Sequence, residues 1–179
     1  EHLGRFSDLT RAILDSSGKK KIVLHDEIQI LNDYLSLEQL RFEKDFSFSI
    51  EVAPQVDPYA IQLPPMLIQP YVENAIKHGL MHKEGKKELK IKIELPKPDL
   101  LQVVVEDNGI GRQKAAYFAS MRPKKHRSFS SGATERRLSL LNAGNERNIG
   151  VAYEDLLVNE QPAGTRVTIS IPTETVSAC

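Results

Sequence analysis

Between Pro64 and Leu80 the sequence runs Pro-Pro-Met-Leu-Ile-Gln-Pro-Tyr-Val-Glu-Asn-Ala-Ile-Lys-His-Gly-Leu, and its polar residues differ from those of an ordinary solvated helix. At helical spacing, Ile68, Val72, Ala75, Ile76 and Gly79 fall on one apolar face, while Glu73, Asn74, Lys77 and His78 gather on the other. A neutral oxygen, a base and two nitrogen groups so close together suit a hydrated metal ion and phosphate. The Asn74 oxygen is a candidate Mg²⁺ ligand, and Lys77 and His78 are candidate anion contacts. Glu73 is either a general base or one half of an i,i+4 ion pair with Lys77 worth about 0.3 kcal/mol. Gly79 is placed to end this helix as a C-cap, and Pro70 belongs in its first turn or kinks it.

A second stretch with chemistry is Val103-Val-Val-Glu-Asp-Asn-Gly-Ile-Gly111. It is an apolar strand that ends in an acid and breaks into a loop with two glycines. The strand would hold the Asp107 carboxylate at the floor of a pocket, where it needs donors. The plainer alternative is an Asp-Asn-Gly turn closing a hairpin, although such a turn does not require Gly111.

Helices and strands must bring these stretches together. Leu3, Phe6, Leu9 and Ile13 mark a helix over Leu3–Leu14, and Asp15 to Lys21 is a turn. A longer helix runs from His25 or Asp26 to about Glu43, with Asp26 as its cap. Its stripes Ile28, Leu31, Leu35 and Ile30, Tyr34, Leu37 imply burial against two neighbours. Phe46 to Val52 alternates as a half-buried strand, and residues 54–65 form a loop into the central helix. Leu89 to Leu95 and Leu100 to Glu106 read as an antiparallel hairpin about Pro96-Lys-Pro-Asp99. From Gly109 to Ala133 there is no apolar periodicity, the pattern of a lid. A helix over Thr134–Glu146, a strand over Val151–Leu157 and a final strand over Gly164–Ile171 follow. Five strands with interleaved helices imply an α+β, two-layer α/β sandwich with a mixed sheet covered on one face.

Composition sets the outer limits. The 179 residues, 40% hydrophobic, suffice for one domain and an appendage. Lys plus Arg and Asp plus Glu both number 24, so any anion binding is local and nothing pulls the chain toward nucleic acid. Cys179 is the single cysteine, which excludes an internal disulfide framework. The chain shows no membrane-spanning run or signal peptide. It begins at Glu1 within a helical pattern and is read as a fragment of a longer protein.

The two stretches together, in this order, resemble the Asn box and first glycine box of the Bergerat (GHKL) ATP-binding fold of sensor histidine kinases, DNA gyrases and MutL. Leu67-Ile-Gln-Pro-Tyr-Val-Glu-Asn-Ala-Ile-Lys-His-Gly79 is similar in particular to LytS-type sensor histidine kinases. The resemblance implies ATP and Mg²⁺ as cofactors, with Asn74 on the metal and Asp107 on the adenine amino group. Glu73 and Asn74 would be catalytic. Lys77, His78, Gly109, Gly111, Arg112, Ser130, Thr134, Gly164 and Thr165 would contact the nucleotide, Gly164-Thr165 matching the terminal glycine box. It divides the chain into a partial helical dimerisation region over residues 1–44 and a catalytic domain over residues 45–179. The implied partners are a response regulator and a second copy of the chain, and the implied location is the cytoplasmic side of a membrane-anchored bacterial protein.

Two departures stand out. Ser130 occupies the place of a lid glycine, with Gly132 two positions later, and a positive φ there would cost a serine roughly 1 kcal/mol. The lid cluster Lys124 to Arg127 is either a solvated loop or a triphosphate clamp. The family's acceptor histidine lies in a Pro-His-Phe context absent from this sequence, so the resemblance places it upstream. A nucleotide-binding pseudokinase and, less readily, a gyrase- or MutL-like ATPase remain as alternatives.

Overall fold

The computed structural model describes residues 18–42, 45–121 and 130–174. The predicted helix over Leu3–Leu14, the Lys124 to Arg127 cluster, Ser128 and Cys179 lie outside them. In chain order the elements are β1 (Ile22–Val23), α1 (Leu24–Arg41), β2 (Phe46–Val52), β3 (Gln62–Leu63), α2 (Gln69–Asn74, continued by a π-helical stretch Ala75–Leu80), β4 (Lys87–Lys97), β5 (Leu100–Asp107), α3 (Arg112–Ser120), α4 (Ser130–Asn142), β6 (Gly150–Val158) and β7 (Gln161–Pro172).

The main sheet has five strands in the order β2-β4-β5-β7-β6. β2 runs parallel to β4, with Ile50 opposite Ile91, because the chain between them crosses over through α2. The remaining pairs are antiparallel, and β4–β5 is the predicted hairpin, with Ile91 opposite Val105. Alternation decides which face is buried. Leu89, Ile91, Ile93, Val103, Val105, Ile169 and Ile171 point into the core, while Lys90, Lys92 and Glu94 point to solvent. The helices therefore lie on one face, as expected. Against the sheet pack Leu24, Ile28, Leu31 and Leu35 of α1 and Ile68, Val72, Ala75 and Ile76 of the central helix, in one continuous core.

Several local expectations need correction. Val23, not Asp26, stands at the N-cap of α1. The opening is secured instead by the Leu24 and His25 amides, which donate to Ile61 O at 2.8 Å and Pro58 O at 3.0 Å. α4 begins at Ser130 rather than Thr134 and stops at Asn142. Ser130 is thus helical, and the strained positive φ expected of it does not arise. The stretch read as an aperiodic lid contains α3, a short helix with Tyr117 and Phe118 exposed. Its large apolar residues are not packed into the core, so no helical stripe marks it in the sequence.

Ile91 is fully buried at the centre of the sheet, whereas Leu140 on α4 is 76% exposed. Ile91→Ala should cost about 2–5 kcal/mol of unfolding free energy in urea titration, and Leu140→Ala less than about 0.5 kcal/mol.

Candidate functional site

The central helix enters through Ile68, places Pro70 in its first turn as expected, and buries Tyr71, Val72, Ala75 and Ile76. Beyond Asn74 the helix does not end at Gly79. It widens into a π-helical turn, and the Met81 amide donates to Ile76 O at 2.9 Å, five residues back. Gly79 is needed for space rather than for a cap: a Cβ there would lie 2.7 Å from Asp107 Oδ1. The Gly109 loop approaches as closely, since a Cβ on Gly109 would meet the Gly79 carbonyl carbon at 2.5 Å. The Ile110 amide donates to Gly79 O at 3.2 Å. The two sequence stretches thus meet backbone to backbone.

Asp107, the last residue of β5, sits at this junction with 4% of its surface exposed. Its Oδ1 accepts the Gly109 amide at 2.8 Å, and the Thr165 amide of β7 also bonds the carboxyl. Burial nevertheless pushes its pKa up to about 6, because two amides and distant Lys83 compensate only part of the lost hydration. Gly164, at φ 144°, lies against the Asp107 carbonyl, where a Cβ would overlap it at 1.9 Å. Gly111, at φ 77°, packs on Pro162.

A cavity of about 400 Å³ opens over this junction, lined in part by Asn74, His78, Gly79, Asp107, Arg112 and Thr165. Asn74 and Asp107 therefore face one cleft. Of the remaining sequence-predicted residues, Gly111 also lines it, whereas Gly109 and Gly164 pack against Asp107 without lining it. Glu73 and Lys77 do not line it. The Lys77 ammonium donates to Glu73 Oε2 at 2.7 Å and Gln69 Nε2 to Glu73 Oε1 at 3.0 Å, which is the plainer i,i+4 pair. Thr134 stands half-buried one turn into α4, beside Glu135 of the cavity wall. The Arg112 guanidinium lines the cavity but binds Asp155 with two bonds of 2.8 and 2.9 Å and lies 5.4 Å from the Tyr153 ring centre. That pair lowers the pKa of Asp155.

Sequence reasoning missed Tyr71, Ala75, Ala115, Ala116, Glu135, Tyr153 and Val167, which complete the lining. Ala75 reads in the sequence as part of the apolar helix face, and the placement of the others depends on the tertiary fold. A larger cavity of about 750 Å³ lies between the far end of β7 and the end of α4, lined by Lys21, Leu141 and Arg147 among others. It contains none of the predicted site residues.

The donor set fits a magnesium nucleotide. The volume lies in the range of small-ligand pockets, and a buried carboxylate awaits a donor. Among the described residues no three His, Cys, Asp or Glu side chains cluster to hold a metal. A hard cation would thus take the Asn74 oxygen together with oxygens of the ligand itself.

Comparison with known proteins agrees with this geometry. Residues 64–175 match the family model described as histidine kinase-, DNA gyrase B-, and HSP90-like ATPase, and residues 1–46 match one described as histidine kinase. The chain is 32% identical over 146 residues to the protein YwpD of Bacillus subtilis, covering 81% of this chain and 48% of that one. It is 35% identical over 115 residues to the sensor histidine kinase/phosphatase LytS of Staphylococcus aureus, covering 64% of this chain and 19% of that one. It spans less than half the length of both relatives. The fold resembles the histidine kinase domain of the Erythrobacter litoralis EL346 blue-light activated kinase, with TM-score 0.58, 14% identity, and 96% and 75% of the two chains covered. It also resembles the mycobacterial sensor histidine kinase MprB, with TM-score 0.56, 17% identity, and 87% and 99% covered.

The packing at Asp107 generates a stability prediction. Gly164→Ala should destabilise far more than an ordinary surface change, because its Cβ would overlap backbone rather than a movable side chain. We expect a loss of more than about 3 kcal/mol, or no folded protein, in thermal and urea unfolding. Gly132→Ala, with open space around it, should be neutral or slightly stabilising.

Proposed function

Given that the chain belongs to the histidine kinase-, DNA gyrase B-, and HSP90-like ATPase family, we propose that it is the ATP-binding catalytic region of a LytS-type sensor histidine kinase. It would bind Mg-ATP and pass the γ-phosphoryl to a histidine outside this sequence, for relay to an aspartate of a response regulator. Residues 45–179 would carry catalysis. Residues 1–44 would link to, and in part form, the dimerisation helices of a homodimer. Among the described residues no helix is long and apolar enough to cross a membrane. We place this piece on the cytoplasmic side of a membrane-anchored bacterial protein.

The observation that carries the reading is the convergence of Asn74 and Asp107 on one cleft. Phosphoryl transfer asks the protein for positioning and charge neutralisation, and the bound magnesium would supply most of the latter. Asn74 would hold the metal. Asp107 would accept a hydrogen bond from the adenine amino group while its other acceptor positions stay with the Gly109 and Thr165 amides. Gly79, Gly109 and Gly164 would let backbone pack closely enough on Asp107 to hold its carboxyl at the cleft floor. His78, beside Asn74 in the cleft lining, and the N-terminal amides of α4 would contact phosphate oxygens. Glu73, held by Gln69 and Lys77, would orient or deprotonate the incoming imidazole. Arg112 would act through its pairing with Asp155, fixing the base of the lid, and Thr134 and Thr165 would support the cleft walls.

One observation favours a second reading. α4 starts in regular helix at Ser130, where the family's lid has a glycine, so a nucleotide-binding module without phosphotransfer is the rival. Incubation of the full-length protein with γ-labelled ATP separates the two: acid-labile, alkali-stable label on histidine supports the kinase, and nucleotide binding without label supports the rival.

Asn74→Ala should abolish phosphotransfer while leaving Mg²⁺-free nucleotide binding measurable by calorimetry. Asp107→Asn should weaken binding in both conditions by about 10- to 100-fold, the cost of an unmet buried partner. The Asp107 carboxyl also fixes the pH dependence. With its pKa at about 6, adenine nucleotide affinity should be level above that value and fall as the pH drops through it, towards about tenfold per unit. The stability of the ligand-free protein should run the other way. An acid raised from 3.8 contributes stability that is complete below the ordinary value and lost as the pH rises through about 6. Calorimetric titration and thermal melts across that range check both signs.

A further inference from the structure

Glu27 of α1 is a carboxylate with no exposed surface, and neither the lining of the cleft nor the adenine contact uses it. Its Oε2 accepts the Met66 amide at 2.7 Å and its Oε1 accepts the Ile68 amide at 3.0 Å, with the Gln69 amide also directed at it. Those amides open the central helix, whose N-cap residue Ile68 has no side-chain cap of its own. A carboxylate from a different helix therefore caps α2, with the sign that a helix N-terminus favours. From the opposite side Arg137 of α4 donates Nη1 to Met66 O at 3.0 Å and Nη2 to Pro65 O. Its charge opposes the upward push that burial exerts on the Glu27 pKa. The Met66 peptide is thus held on its N–H by α1 and on its carbonyl by α4. Met66 itself sits at φ 54°, a state that persists for a non-glycine residue only where neighbours enforce it.

We infer that Glu27 and Arg137 are positioning residues for the metal end of the cleft: by gripping the Pro65–Ile68 turn from two helices, they fix the axial setting of α2 and hence of Asn74. The inference rests on the nucleotide reading above and deepens it. Asn74 lies six residues beyond Ile68 on a continuous helix, so a shift at its start moves the carboxamide with it. Asp107 is set separately, by β5, β7 and the Gly79–Gly109 contact, so adenine recognition has its own support. The grip also joins α1, which leads towards the proposed dimerisation helices, to α4, which follows the predicted lid stretch in the chain. Movement of either helix would thereby reach the metal ligand before it reaches the base.

Calorimetric ATP titration of the 179-residue chain, in Mg²⁺ and in EDTA, tests this on Glu27→Gln, Arg137→Met, the double variant and Arg137→Lys. The ratio of the two affinities measures the metal-dependent gain. Glu27→Gln and Arg137→Met should each cut that gain by about tenfold or more, the lower range for removing an outer partner of a metal ligand. Affinity in EDTA should stay within about twofold, and the double variant should be no worse than the poorer single one, since both residues act through one turn. Hydrogen exchange at the Met66 and Ile68 amides should quicken. Arg137→Lys keeps the charge but not the two-headed grip, so it should lose most of the gain; it carries the test if Glu27→Gln does not fold. An undiminished gain in folded variants, or equal losses with and without Mg²⁺, overturns the inference. A wild-type chain whose ATP affinity ignores Mg²⁺ overturns the functional reading instead, and this one with it.

Discussion

The contact on which the rest of the molecule depends is the close approach of three backbone segments around the Asp107 carboxylate. The widened end of the central helix, the loop after β5 and the start of β7 all reach van der Waals distance of this group or its peptide, and each does so at a glycine. Removing a carboxylate from water is expensive, and the Gly109 and Thr165 amides, with the charge of Lys83, offset only part of that cost. The site is therefore left short of hydrogen-bond donors, a deficit that a ligand amino group can relieve. Strand pairing supplies the rigidity, because Asp107 lies opposite Leu89 on one side and Thr165 on the other. The acid cannot retreat into solvent without disrupting two ladders. The ligand-free fold thus carries an unmet demand for a hydrogen-bond donor.

Much of this was legible in the sequence because the informative residues are adjacent in the chain. The alternation of Leu89, Ile91 and Ile93 and of Val103 and Val105 gave the hairpin and its buried face, and the helical spacing from Ile68 to Gly79 gave the face of the central helix. Gly79 illustrates where such reading stops. A glycine after a helical run resembles a terminator, yet its role is fixed by a side chain 28 positions away in β5, which no local pattern reports. α3 escapes notice for the complementary reason: Tyr117 and Phe118 are exposed, so the periodicity that marks a packed helix is missing. Glu27 looked like any acidic residue in a first helical turn. Its burial depends on the Pro65–Ile68 turn, brought alongside by the crossover between β2 and β4.

The division between an amino-terminal helical region and a catalytic domain is also more intimate than a boundary near residue 44 suggests. Leu24, Leu31 and Leu35 share one apolar core with Ile76 and Ile91, so α1 is part of the hydrophobic interior under the five-stranded sheet. A signal carried along such a helix would not need to cross a flexible hinge. It would arrive as a displacement of residues already packed against the sheet, where close packing resists gradual deformation and favours discrete rearrangement.

The π-helical stretch after Asn74 has an evolutionary corollary. Each of its hydrogen-bonded turns encloses one residue more than an α-turn, which is how a single inserted codon is absorbed without breaking a helix. Deleting one residue between Ala75 and Leu80 would restore regular winding and leave the helix on either side in phase, so the change would fall on the residues inside the widened turn. His78 and Gly79 both lie in that turn, beside Asn74 and against Asp107. The spacing of residues along this stretch is therefore as much a part of the site as their identities.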